Sequence, residues 1–328
     1  GSEGEGEGEG EGEGEGEGEG EGEGEGEGGV FYVDRTATGA GNGSSWSDAF
    51  TSIQDGVDVA SGAGGADVFV AQGVYKGISN QVVTMRPGVR IYGGFPTGGG
   101  ERDMEAHETI IDGENERRGV FGADDATLDG FTITHGSAEE GEPFNRGGGM
   151  SNKDVSPLVA KCRFIENTAS ADGGGMYNGN SSPTVVNCIF ADNTVTNTSY
   201  GTGGGISNNG SSPTIVNCTF SGNTANAGGG IYGFSSSPVI INCILWGDSS
   251  PEIAGGSPEV AYSNVQGGYD GEGNIALTPL FAPGGFNLDY NSPCIDSGTF
   301  DGAPYTDIRG VLRPQGDGRI DMGAYERN

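Results

Sequence analysis

Between Gly147 and Gly255 one pattern recurs four times, and its internal length never changes. Glycine triplets begin at Gly147, Gly173, Gly203 and Gly228, at spacings of 26, 30 and 25 residues. Prolines (Pro157, Pro183, Pro213, Pro238) and cysteines (Cys162, Cys188, Cys218, Cys243) follow at the same spacings, so each triplet lies 15 residues before its cysteine. All length variation falls between a cysteine and the next triplet. A core of fixed length joined by one elastic loop is the signature of stacked structural repeats.

Around each cysteine the apolar residues alternate. One set reads Ala160/Val186/Val216/Ile241, the cysteine, then Phe164/Phe190/Phe220/Leu245. The interleaved set reads Val159/Val185/Ile215/Ile240, Lys161/Asn187/Asn217/Asn242, then Arg163/Ile189/Thr219/Ile244. Lys161 and Arg163 resist burial, so the cysteine set is expected inward and the other outward. Period two over about six residues predicts one strand per repeat. One strand and glycine-rich turns per roughly 25 residues, with no helical stretch between, predict an all-β parallel β-helix whose rungs stack about 4.8 Å apart.

The triplet followed by Phe-x-x-Asn (Phe164 to Asn167, Phe190 to Asn193, Phe220 to Asn223) resembles the repeats of polymorphic outer-membrane proteins. It also resembles other right-handed parallel β-helix surface proteins of the pectate-lyase-like group. The fourth copy departs, with Leu245 and Asp248 in those columns. The resemblance implies a right-handed coil and a secreted bacterial surface or matrix protein. No barrel segment follows the repeats, so an autotransporter is not implied.

The flanks fill out the expected organisation. Residues 1–29 form an arm or linker of thirteen Glu-Gly pairs. Residues 30–66 form an N-terminal cap, in which Ser47 is expected to start a helix carrying Phe50, Ile53 and Val57. Residues 67–270 form the coil, whose eight to ten rungs would span roughly 40–50 Å. Its degenerate last repeat puts Ser263 in the cysteine column. Residues 271–328 read as a C-terminal cap. The chain of 328 residues carries a net charge of −32, and removing the 13 glutamates of the arm leaves −19. Such a charge disfavours nucleic acid and anionic membranes, and favours cations, basic surfaces or neutral glycans. No apolar run is long enough for membrane insertion.

Most candidate residues have a structural reading. Asn167, Asn193 and Asn223 recur at one turn and predict an asparagine ladder rather than a ligand array. Cys162, Cys188, Cys218 and Cys243 fall in one inward column, where parallel side chains suit free apolar thiols better than disulfides. The triplets lack the strand-to-helix setting of a phosphate loop. Two sets of residues carry chemistry. His135, Glu139, Glu140, Glu142 and Arg146 form a loop that could serve as base, calcium site and substrate clamp. Asp124, Asp125 and Asp172 are weaker calcium candidates, and no other cofactor is expected.

The arm (Glu3, Glu5, Glu7, Glu25, Glu27 and the glutamates between) would put all its charge on one face if extended. It would then reach roughly 85 Å, far enough to dock on a second copy and build filaments. The expected function is a secreted structural protein that self-assembles and contacts cell-surface glycans. The alternative is a polysaccharide lyase, hydrolase or glycan-binding module. That alternative needs a groove with convergent charges and exposed aromatics, which the repeat columns are not expected to supply.

Overall fold

The computed structural model describes residues 29–139, 145–249, 251–315 and 318–327. The glutamates of the arm, together with Glu140 and Glu142, lie outside the described residues. Each regular coil contains three main strands rather than one. In the second they are Met176–Gly179, Thr184–Val186 and Ile189–Ala191, with a short Thr194–Val195 after them. Every strand pairs in parallel with its counterpart one coil on, as in Met176↔Ile206, Val185↔Ile215 and Phe190↔Phe220. The result is three long sheets wrapped around one interior. Among the described residues, a seven-stranded triplet face holds the strands that follow the glycine triplets. A nine-stranded proline face and an eight-stranded cysteine face complete the coil.

The inside–outside assignment needs one correction. The Val159, Val185, Ile215 and Ile240 column, expected outward, is wholly buried in the core, whereas Ala160, Val186 and Ile241 lie on the outer side. The cause is the corner residue. Lys161, Asn187, Asn217 and Asn242 have φ of 51°, 52°, 50° and 55°. A left-handed residue breaks the strand in two and resets the alternation. Inward positions are therefore two apart within a strand but three apart across a corner, from Val185 to Cys188 and again from Phe190 to Asn193. Period-two reading cannot see that step.

The interior is built from ladders. Phe164, Phe190 and Phe220 stack with centroids 4.8 and 4.9 Å apart and rings nearly parallel. Asn167 Nδ2 donates to Asn193 Oδ1 at 2.9 Å, and Asn193 Nδ2 to Asn223 Oδ1 at 2.8 Å. The same amides bond the carbonyls of Ile133, Phe164 and Phe190. A second buried ladder, Asn152–Asn178–Asn208, runs at 2.9 Å per step beneath the triplet face. The triplets allow close stacking: a Cβ on Gly174 or Gly175 would lie 2.7 Å from the carbonyl oxygen of Gly204 or Gly205. The four column cysteines are free and buried, and burial pushes the thiols of Cys162, Cys188 and Cys218 well up. Alkylation of the native protein should therefore leave all four unmodified, and unfolding without reductant should expose all four. A requirement for reductant would contradict this arrangement.

Both ends differ in detail from expectation. The N-terminal helix is Ile53–Gly62, beginning after Ser52 rather than at Ser47. Phe50 joins the strand Val30–Val33 through a bridge to Val33, so that segment is spent on the sheet edge. The helix covers the first triplet-face strand with a side-chain amide: Gln54 Oε1 accepts from Thr84 N at 2.7 Å and Gln54 Nε2 donates to Thr84 O at 3.2 Å. At the other end, residues 271–277 cover the last coil, with Ile275 N bonded to Ser263 O. The chain then does more than cap. Residues 296–315 and 318–327 run back along the cysteine face as a strap, where Ile308, Ala324 and Tyr325 pack on Ile189 and Ala191. Corner asparagines hold the strap: Asn187, Asn217 and Asn242 donate to the carbonyls of Thr306, Asp321 and Thr299 at 2.7, 3.0 and 2.8 Å. Within it, Arg313 and Glu326 form a fully buried ion pair at 2.8 Å.

Candidate functional site

Of the expected loop constellation, His135, Glu139 and Arg146 fall among the described residues. His135 sits at a corner, with Nδ1 3.2 Å from Asp112 Oδ1 and Nε2 3.3 Å from Glu166 Oε2. Glu139 is exposed, and Arg146 pairs with Asp172 at 2.8 Å. Asp124 accepts the Ser156 N–H at 2.7 Å, and Asp125 is a left-handed turn residue. Among the described residues no group of three or more His, Cys, Asp or Glu side chains is placed to hold a metal ion.

The triplet face carries a groove. Its outward column is read through the strand register: Thr84↔Phe121, Phe121↔Ser151, Ser151↔Tyr177, Tyr177↔Ser207, Ser207↔Tyr232 and Tyr232↔Ala254. One wall is a line of polar side chains running from coil to coil. Arg146 Nε donates to Asp172 Oδ2 at 2.8 Å, and Thr202 Oγ1 donates to Asp172 Oδ1 at 2.6 Å. Thr202 Oγ1 lies 3.2 Å from Ser207 Oγ. Tyr200 overhangs this line from the tip of the longest inter-repeat loop, which Asn197 shapes by accepting from the backbone N–H of Ser199 and Tyr200. Phe234, 59% exposed, and Tyr232 line the same hollow of about 220 Å³, together with Asp172, Thr202, Ser207 and Asn209.

Among the described residues the groove is close to neutral. The Arg146 guanidinium lies 5.3 Å from the centre of the Tyr177 ring and is matched by the Asp172 carboxylate. Burial raises the Tyr177 phenol above its ordinary value. Among the described residues Asp172 is the one carboxylate lining this hollow, and both its oxygens are engaged. Hydrolysis by paired carboxylates needs a second one across the cleft. What the groove offers is aromatic rings beside hydroxyl and amide groups, a combination suited to holding a hydroxylated ligand. Two signals in the sequence mark it. The first is Tyr177 and Tyr232 in equivalent repeat positions, and the second is the 30-residue spacing that extends the Tyr200 loop.

Residues 105–264 match the family model for a right handed beta helix region. The chain is a right-handed parallel β-helix. Curated proteins give no match to it. Among solved structures the β-helix is similar to a crystal structure of pectate lyase Pel9A, at 14% identity over 92% of this chain and 96% of that one, with a TM-score of 0.39. So distant a likeness carries no function across to this β-helix.

Proposed function

We propose that this β-helix is an extracellular module that binds polysaccharide along its triplet face without cleaving it. The observation that carries this reading is the hollow between Tyr200, Tyr232 and Phe234, in which exposed aromatic surface stands against the Asp172–Thr202–Ser207 line. Pyranose rings offer an apolar face for stacking and a rim of hydroxyls for hydrogen bonds, and this groove presents partners for both. The net charge of −32 accords with a ligand that is not an anionic polymer. Surface glycans lie outside the cell, so the reading includes an extracellular location. Self-assembly through the Glu-Gly arm remains a separate proposal, tested by whether a chain lacking residues 3–28 still forms the same particles as the full chain.

Affinity electrophoresis through gels containing neutral polysaccharides tests the binding. The Tyr200→Ala, Phe234→Ala double variant should lose roughly ten-fold or more in affinity with little change in melting temperature, because both side chains are largely exposed. Unchanged retention would reject the site. Release of shortened chains by the wild type, abolished in Asp172→Asn, would replace binding by catalysis.

A further inference from the structure

The glycine triplet of the fourth copy rests on a stretch of chain that carries two buried acids. Ser249 O and Pro251 O accept Gly229 N, each at 3.1 Å, and Glu252 O accepts Gly230 N at 3.1 Å and Ile231 N at 2.9 Å. The triplet leads directly into Ile231–Phe234, the strand that brings Tyr232 and Phe234 to the groove. That strand pairs onward with Ile253–Gly255, which follows Glu252. Gly230 also packs on the acids: a Cβ there would lie 2.9 Å from Asp248 Oδ2 and 3.0 Å from Glu252 O. The same residues therefore hold two carboxyls and seat the aromatic side of the binding hollow.

Asp248 Oδ2 and Glu252 Oε2 are both buried without a partner, and the two side chains lie within hydrogen-bonding reach of each other. One proton between them satisfies both oxygens, whereas without it two charges face each other away from water. Asn223, Gly247 and Gly230, which face the pair, carry no charge to offset this, and Asp192 adds negative charge from a neighbouring coil. Burial first, and then Asp248, push the Glu252 carboxyl up to about 9, so the proton stays through neutral pH and leaves as pH passes that value. Resting on the glycan binding proposed above, we propose that the Asp248–Glu252 pair is a proton gate for the groove, holding the fourth triplet in place while the proton is shared and releasing it when the proton is lost. Relief of the repulsion carries the Glu252 side chain toward water, and its carbonyl, the acceptor for Gly230 N and Ile231 N, moves with it. Tyr232 and Phe234 then lose their fixed position opposite Tyr200, Thr202 and Asp172.

The experiment follows the full chain by two readouts across the alkaline range: retention in the neutral-polysaccharide gels, and amide-hydrogen exchange without ligand. Wild-type affinity should fall roughly ten-fold between about pH 8 and 10, and exchange at Gly229, Gly230 and Ile231 should accelerate beyond the ordinary rise with pH. Asp248→Asn removes one charge, keeps an acceptor for Asn223 and supplies a donor to Glu252, so its affinity and its exchange protection should stay level over the same range. Glu252→Gln should behave alike, and a folding failure in one variant leaves the other informative. All three proteins carry the same tyrosines, so phenol ionisation cancels in the comparison. An equal fall in the wild type and both variants would overturn the gate while leaving polysaccharide binding intact. Absence of retention at every pH would overturn the function on which the gate rests, and pair-dependent exchange distinguishes that failure because it reports the seat of the triplet without a ligand.

Discussion

Asn193→Ala is expected to destabilise the protein by on the order of 4 kcal/mol, far more than an exposed change on the same coil such as Thr184→Ala. Asn193 is buried, and its amide serves three coils at once. Nδ2 donates to Phe164 O at 2.8 Å and to Asn223 Oδ1 at 2.8 Å, and Oδ1 accepts Asn167 N at 3.1 Å and Asn167 Nδ2 at 2.9 Å. Truncation leaves those partners in an interior without water, and each buried unsatisfied group costs about 1–3 kcal/mol. The damage should be cooperative along the column, because Asn167 and Asn223 each lose a neighbour. Denaturant unfolding of the two variants measures the difference. Equal midpoints would mean that the ladder is decoration on a fold held by its phenylalanine stack.

The second large effect is a pH dependence at the end of the same ladder. The fourth copy places Asp248 where the others have asparagine. Its Oδ1 accepts Asn223 Nδ2 and Asn223 N, each at 2.7 Å. Its Oδ2 is buried without a partner, as is Oε2 of Glu252, whose Oε1 accepts Gly247 N at 3.1 Å. Asp192 on the neighbouring corner adds further negative charge. Burial, together with the neighbouring carboxylate, pushes both acids up, Glu252 to about 9. A carboxyl raised in the folded state favours folding while it stays protonated. Its destabilising effect therefore begins above the unfolded value of 4.5 and grows until pH passes about 9. Across that window the folding equilibrium should fall by up to about ten-fold per pH unit from this pair. Asp248→Asn restores the ladder residue and removes one charge. It should raise stability at pH 8 and flatten the slope between about pH 5 and 9 in a thermal-melting series. A wild-type slope retained in the variant would show that the pair does not hold the proton.

The repeat made much of this molecule legible before any coordinates. Fixed triplet–proline–cysteine spacing requires identical coils, and identical coils require ladders of identical residues. The cysteine and phenylalanine columns, and the asparagines at Asn167, Asn193 and Asn223, follow from one-dimensional periodicity because each coil contacts its own copy. Local backbone conformation was harder to read. Asparagine suits a left-handed corner, as at Asn187, Asn217 and Asn242, but Lys161 in the same column does not announce one, and one such residue moved Val185 from the outside to the core. The partner of Arg146 was hidden for a related reason: Asp172 lies one coil away, where nearness along the chain does not point.

What the sequence alone determined is whatever repeats: the all-β coil, its rung length and its internal ladders, since each depends on a residue meeting its equivalent in the next turn. Tertiary structure decided whatever depends on unlike residues meeting. The strap over the cysteine face joins Asn187 to Thr306 and Asn217 to Asp321, across more than a hundred residues of chain. The groove likewise combines Tyr200 from one loop with Asp172 and Phe234 from neighbouring coils. Periodicity carries no information about such pairs, because which outer face receives the returning chain, and which remains open, is settled only when the whole coil has closed.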